Sequence, residues 1–121
     1  MAVILIVEDD VFICGMAEIM IEDGGHQALS ASDVDGALSI LRSPRHIDVL
    51  FTDIRLKTAA LGGCELAREA IALRPELRVL YTTGNSFTDE LKALFVEGAR
   101  FLGKPYEQQG LQSSVAALLA A

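Results

Sequence analysis

Four apolar runs in this sequence each end at polar or charged residues that can take part in chemistry. The clearest is the run 47–52, which stops at the carboxylate of Asp53. The other three are 3–7 before Glu8-Asp9-Asp10, 77–81 before Thr82-Thr83-Gly84, and 99–103 before Lys104-Pro105. Runs of this kind are typical of parallel strands buried on both faces, and ligands bind at the carboxyl ends of such strands. The sequence therefore predicts a parallel sheet with its functional side chains at one edge.

Segments with apolar residues at helical spacing separate these runs. Helices are predicted over about 10–23, from Ser32 or Asp33 to just before Ser43-Pro44, over 64–73, from a capping box at Ser86 and Asp89 to Glu97, and over about 107–120. The stretch 27–31 is predicted as a short edge strand. Strict alternation with short connections requires parallel pairing and right-handed crossovers. The predicted fold is α/β: a doubly wound (βα)5 three-layer sandwich with a five-stranded parallel sheet.

Composition limits the classes of function. A chain of 121 residues with 51% hydrophobic residues is expected to form one domain, 1–121. Its net charge of −7 argues against binding to nucleic acid. Its first apolar run is too short for a signal peptide or a membrane span. Cys14 and Cys64 have no metal-like spacing, so free thiols in a reducing cytoplasm are expected.

The predicted strand ends bring three acids together. Glu8, Asp9 and Asp53 would repel one another unless a cation or retained protons offset their charge. Mg²⁺ prefers oxygen ligands, and the backbone carbonyl of Arg55 is a candidate for a further one.

With a cation bound, Asp53 could act as a nucleophile and accept a phosphoryl group. The Lys104 ammonium would neutralise charge on the phosphoryl oxygens, and the Thr83 hydroxyl would donate a hydrogen bond to one of them.

These residues resemble the receiver domains of two-component response regulators, over essentially the whole chain. The motifs are the acidic pair Glu8-Asp9, the phosphoacceptor Asp53 within Thr-Asp-Ile-Arg-Leu, the hydroxyl residue Thr83 and the pair Lys104-Pro105. The resemblance implies a flavodoxin-like receiver fold, a bound Mg²⁺ with Asp9 as direct ligand and Glu8 acting through water, and a cis peptide at Lys104-Pro105. It also implies that Phe101 is an aromatic switch residue that moves inward together with Thr83.

The implied function is a phosphorylation switch rather than an enzyme acting on other molecules. A histidine kinase or a histidine phosphotransfer protein would donate to Asp53, and an unknown downstream protein would read the change. No membrane partner is expected, and a weak homodimer is compatible with the sequence. Because the chain ends with the fifth helix, we expect a stand-alone receiver without an output domain.

Two features depart from or refine the family pattern. The loop 56–63 is about two residues longer than usual and lacks the usual Met-Pro. The stretch 81–84, Tyr-Thr-Thr-Gly, is similar to the aromatic-x-Thr-Gly signature of a single-domain receiver subgroup.

Two other functions use related chemistry. A phosphohydrolase of the haloacid-dehalogenase type also has an aspartyl nucleophile, but it needs an acid two residues later, where this chain has Arg55. A flavodoxin-like cofactor binder would need hydroxyls and backbone donors, not three acids, after the first strand.

The first predicted helix carries more apolar residues than one face can bury. We expect Ile13, Met16, Met20 and Ile21 to face the core, and Val11, Phe12, Cys14 and Ile19 to point outward. An exposed apolar patch indicates a partner surface. In the resembled family this helix docks the phosphodonor, and burial of Phe12 by a shifted helix phase is the alternative.

Overall fold

Strands and helices alternate along the whole of the described chain. The computed structural model describes residues 1–57 and 59–121, so Thr58, within the predicted loop after Asp53, lies outside the described residues. The strands are β1 (Val3–Val7), β2 (Gln27–Ala31), β3 (Val49–Asp53), β4 (Arg78–Thr83) and β5 (Arg100–Gly103). The helices are α1 (Val11–Asp23), α2 (Val34–Leu41), α3 (Gly62–Leu73), α4 (Asp89–Lys92) and α5 (Gln108–Ala120). The predicted α/β alternation is confirmed.

The five strands of the described chain form one parallel sheet in the order β2-β1-β3-β4-β5. β2 lies at an edge, as predicted. In the centre β3 pairs with β1 and β4, and Asp53 lies opposite Thr82. All five residues of β3 are buried. The strand that carries Asp53 is therefore held on both edges and covered on both faces.

The helices cover the sheet in two layers, each with its own core. One core packs residues of α2 and α3 against the sheet, with Leu91 and Phe95 at its margin. The other core packs Ala17 and Ile21 of α1 and Leu111, Val115 and Leu118 of α5 against the opposite face. This arrangement confirms the predicted doubly wound sandwich. No helix of residues 1–57 and 59–121 combines the length and apolar character needed to cross a membrane.

Aspartates begin the first two helices. One carboxylate oxygen of Asp10 accepts hydrogen bonds from the backbone N–H groups of Phe12 and Ile13. Of the two predicted caps for α2, Asp33 is the one used, and it accepts from Gly36 N–H at 2.7 Å. Such caps satisfy donors that have no partner within the helix.

The predicted phase of α1 was wrong at Met16. This residue is 48% exposed, whereas Ala17 takes the inward position and Cys14 packs partly against the core. Val11, Phe12 and Ile19 are exposed as predicted. Ala17, and not Met16, is therefore the residue of this turn that packs in the core.

The predicted fourth helix was too long, and its cap was wrong. The structure places the cap at Thr88, whose hydroxyl accepts from Leu91 N–H at 3.1 Å, and α4 ends at Lys92. Beyond Lys92 the chain makes tighter turns, and Val96 N–H donates to the Tyr81 hydroxyl at 3.1 Å. Val96 N–H is thereby used by a strand residue instead of by a further helical turn.

Candidate functional site

The predicted site residues lie at the carboxyl edge of the sheet. Glu8 follows β1, Asp53 ends β3, Thr83 ends β4 and Lys104 follows β5. Asp9 lies next to Glu8 at the start of the β1–α1 loop. The parallel pairing brings these positions together, because all the strands run in the same direction.

The Lys104 ammonium joins two of the acids. Its Nζ lies 2.9 Å from Asp53 Oδ2 and also contacts Glu8 Oε1. Lys104 N–H donates to the Thr83 carbonyl at 3.0 Å, and the Lys104–Pro105 peptide bond is cis. Burial tends to lower the Lys104 pKa, but the hydrogen bonds to Glu8 and Asp53 outweigh it and the pKa is raised. The lysine therefore stays charged beside Asp53.

Glu8 and Asp9 are held differently. Glu8 is buried, and burial raises its pKa even though it pairs with Lys104 and accepts from Asp10 N–H. Asp9 is only partly buried, and its Oδ2 accepts from Lys57 N–H at 2.8 Å. Burial alone would raise the Asp9 pKa, but this bond and others lower it.

The three carboxylates fit a divalent cation. Glu8, Asp9 and Asp53 each offer an oxygen, and these oxygens all lie within 4.8 Å of one another. The Lys104 ammonium offsets only part of their combined charge. Oxygen donors in this number and charge suit Mg²⁺, which completes its shell with water. Arg55, the residue predicted to supply a backbone carbonyl, is exposed at the same edge, two positions after Asp53.

Thr83 ends β4, and Phe101 lies on the neighbouring strand β5. Thr83 is buried, and its hydroxyl oxygen accepts from Asn85 N–H at 3.2 Å. Phe101 is half-buried and packs edge-on against Phe87, with ring centroids 4.4 Å apart. The hydroxyl is thus engaged with the loop after β4, and Phe101 with the residues that precede α4.

Comparison with known proteins identifies the family. The family model "Response regulator receiver domain" matches residues 4–116. The chain belongs to this family. Among curated relatives, the nitrogen assimilation regulatory protein NtrX of Azorhizobium caulinodans is 34% identical over 109 residues, which is 89% of this chain and 24% of NtrX. The chain thus spans about a quarter of the length of that relative.

Solved structures give the same result. A response regulator receiver protein from Sinorhizobium medicae superimposes with a TM-score of 0.90 at 28% identity, covering 99% of this chain and 95% of that one. A receiver domain protein from Clostridium thermocellum gives 0.87, also at 28% identity with coverage of 99% and 95%. The flavodoxin-like receiver fold is therefore confirmed, and the phosphohydrolase alternative is not favoured. Receiver domains are signalling domains of two-component systems.

The sequence analysis did not identify Gly63, which packs against the backbone of Asp53. α3 begins at Gly62, earlier than the predicted Cys64, and Gly63 N–H donates to the Ile54 carbonyl at 2.8 Å. A Cβ at Gly63 would lie 2.0 Å from the Asp53 carbonyl oxygen. In this receiver domain the start of α3 thus packs directly on the backbone of Asp53. The Gly-Gly pair after a loop was the available signal.

Two further neighbours of the site were not predicted. Tyr106 packs edge-on against Phe51, with ring centroids 5.6 Å apart. Burial raises the pKa of Tyr106 to about 12. Lys57 donates its backbone N–H to Asp9 although 48 residues separate them. Nothing local in the sequence marks this second contact.

Proposed function

We propose that this receiver domain is a phosphoacceptor switch in which Asp53 takes a phosphoryl group from a phosphohistidine. The strongest support is the surroundings of the buried Asp53 carboxylate. Lys104 Nζ lies 2.9 Å from Asp53 Oδ2, and Glu8 and Asp9 each place a carboxylate oxygen within 4.8 Å of an Asp53 oxygen. A capping or surface aspartate would need neither the lysine nor the acids. The donor would be a histidine kinase or a histidine phosphotransfer protein, in a reducing cytoplasm that suits the free thiols of Cys14 and Cys64.

The transfer is a displacement at phosphorus. A carboxylate oxygen of Asp53 forms the new P–O bond while the P–N bond of the donor breaks, and the departing imidazole nitrogen takes a proton. Lys104 already contacts Asp53, so its ammonium can neutralise charge on the phosphoryl oxygens without moving far. Hydrolysis of the acyl phosphate by water returns the domain to its starting state.

Mg²⁺ would be held by Glu8, Asp9, Asp53 and the backbone carbonyl of Arg55. When bound, it supplies positive charge that offsets both the carboxylates and the phosphoryl oxygens. Lys104 contacts both Asp53 and Glu8, and so holds the nucleophilic carboxylate in place before the donor arrives.

The signal is carried by Thr83 and Phe101. Phosphorylation adds about 1.5 to 2 negative charges at neutral pH. We propose that the Thr83 hydroxyl leaves Asn85 N–H and donates to a phosphoryl oxygen. That movement alters the packing of Phe101 against Phe87, and so the surface formed by α4 and β5 that a downstream protein reads.

Docking of the donor is proposed to use the exposed start of α1, beside the acids. Phe12 is 79% exposed and Val11 lies next to it. We expect Phe12→Ser to slow transfer from a cognate kinase while leaving the fold intact. Leu73→Ser, at an exposed residue that ends α3 far from the acids, is the matched control. Equal transfer rates in wild type and Phe12→Ser would contradict the docking role.

The function is tested with a small phosphodonor, which needs no partner. Acetyl phosphate and Mg²⁺ should add one phosphoryl group to the wild type, as read by intact mass, and none to Asp53→Asn. Asp48→Asn, at the other end of the same strand, should be labelled like the wild type. Labelling carried out with a chelator in place of Mg²⁺ should add no phosphoryl group, and labelling of Asp53→Asn to the wild-type extent would refute the proposal.

A further inference from the structure

The loop between β3 and α3 makes a tight turn at Lys57. Leu56 and Ala59 exchange two backbone hydrogen bonds, of 3.0 and 2.8 Å. Leu56 is buried and anchors the turn to the core. Lys57 itself has φ of +53°, in the left-handed region that residues other than glycine adopt rarely. Lys57 therefore has neither strand nor right-handed helical backbone geometry.

The backbone N–H of Lys57 points at the acids. It donates to Asp9 Oδ2 at 2.8 Å, a bond between a neutral donor and a carboxylate. The Lys57 ammonium lies 3.4 Å from Asp33 Oδ2, while the other oxygen of Asp33 caps α2. One residue thus links the loops that follow β1, β2 and β3.

Among the three acids, Asp9 depends most on such a contact. Glu8 and Asp53 are buried and both contact Lys104, whereas Asp9 is only partly buried. A partly exposed aspartate loses rotational freedom when it binds a cation, and a donor that fixes one of its oxygens reduces that loss. Partners that orient ligating carboxylates in this way commonly affect metal affinity.

We propose that Lys57 is a positioning residue for Asp9, acting through its backbone amide, so that Asp9 is oriented for cation binding before the cation arrives. This inference rests on the metal site of the proposed function. The ammonium has a lesser part, because Lys57 and Asp33 side chains are 55% and 43% exposed and water screens their pair. Lys57 is then a part of the site, since its backbone carries the donor.

Hydrogen exchange tests the bond without any metal. Lys57 is exposed, so burial gives its amide no protection, yet its amide should exchange about tenfold more slowly than an unbonded one. The protection should disappear in Asp9→Ala. An amide that exchanges at the unprotected rate in the wild type, or whose protection survives Asp9→Ala, would overturn the proposal.

Mg²⁺ affinity, measured by calorimetry or by NMR titration, separates the amide from the ammonium. Lys57→Gly keeps the N–H and suits a positive φ, and Lys57→Met removes only the charge. Both should leave the Kd within about twofold of the wild type. Replacing the Lys57 amide by an ester removes the N–H alone and should raise the Kd about tenfold, whereas a proline cannot adopt a φ of +53° and would also change the turn. Thermal unfolding of each variant checks that the fold is kept.

The outcomes separate this inference from the proposed function. Wild-type Mg²⁺ binding with an unchanged Kd in the Lys57 ester variant would overturn the inference alone. An equal loss of affinity in Lys57→Met and in the Lys57 ester variant would assign the effect to the ammonium and also overturn the inference. A wild type that binds no Mg²⁺ would overturn both the metal site and the role of Lys57.

Discussion

Two aspartates mark the ends of β3, Asp48 directly before its first residue and Asp53 as its last, and their surroundings give them opposite roles. Asp48 precedes the strand at its amino end, where one carboxylate oxygen accepts from Val3 N–H at 2.8 Å and the other lies 2.8 Å from His46 Nε2. Asp53 ends the strand at its carboxyl end, where it shares Lys104 with the neighbouring acid Glu8. The residue type and the strand are the same, but the neighbours differ.

The surroundings of Asp48 serve the stability of the fold, whereas those of Asp53 serve its reactivity. At the amino end each oxygen has its own partner, so Asp48 closes the pairing of β1 with β3. At the carboxyl end three carboxylates compete for positive charge, a cost that a structural role would not require. Natural folds break local rules of this kind mainly at functional sites.

The largest effect on stability is expected at Gly63, which packs against the backbone of Asp53. Gly63→Ala places a Cβ 2.0 Å from the Asp53 carbonyl oxygen and 2.8 Å from Ile54 Cα. Both atoms belong to the backbone and cannot rotate away, so the free energy of unfolding should fall by about 3 kcal/mol. Urea denaturation measures this loss.

The control is another helical glycine. No described side chain or distant backbone atom lies within 4 Å of a Cβ at Gly15 in α1. Gly15→Ala should therefore raise the free energy of unfolding by about 1 kcal/mol through helix propensity. Changes of the same sign in the two variants would contradict the packing of α3 on Asp53.

A smaller effect is expected at the amino end of β3. Asp48→Ala leaves Val3 N–H without its acceptor and should reduce the free energy of unfolding by about 1.5 kcal/mol. Labelling by acetyl phosphate, measured below the unfolding transition, should match that of the wild type. A stable variant with impaired labelling would reverse the roles assigned to the two aspartates.

Burial of the Glu8 carboxyl at the carboxyl end of the sheet should appear as a change in stability with pH. The Glu8 pKa is raised from 4.5, mainly by burial, so the folded state holds this proton more tightly than the unfolded state does. The contribution of Glu8 to stability therefore falls as the pH rises from about 4.5 through the folded pKa. Glu8→Gln lacks this group, and its stability relative to the wild type should improve from pH 4.5 to neutral pH. Urea denaturation at several pH values measures the difference, and a constant difference would refute the assignment.

The smallest effect is expected opposite Asp53 on β4. Among the described residues, the Thr82 hydroxyl is buried with no hydrogen-bond partner. Thr82→Val keeps the shape of the side chain and removes the unsatisfied hydroxyl. The free energy of unfolding should therefore rise, by less than about 0.5 kcal/mol. A loss above 1 kcal/mol in urea denaturation would mean that the hydroxyl has a partner.

The fold could be predicted from the sequence because its pattern is strong. Apolar runs and helical spacing are local, and the parallel sheet follows from their alternation. The exposure of Met16 in α1 could not be predicted, since apolar residues occupy almost every face of the stretch 11–17. Only contact with the sheet decides that Ala17 is buried and Met16 exposed.

The other errors and omissions depend on distant contacts. α4 is shorter than predicted, and beyond its end the Tyr81 hydroxyl, 15 residues away on β4, accepts a hydrogen bond from Val96 N–H. The bond between Lys57 and Asp9 requires a turn whose conformation is unusual for lysine. Composition and spacing indicate that the strand ends converge, but not which backbone donors fix each carboxylate.

The most direct test is to find which aspartate receives the phosphoryl group. Borohydride converts an aspartyl phosphate into homoserine, so reduction after treatment with acetyl phosphate and Mg²⁺ marks the acceptor in a peptide map. We predict homoserine at position 53 and none at 48 or 9. Homoserine at either of those positions, or a labelled protein with none at 53, would contradict the assignment of Asp53 as the phosphoacceptor.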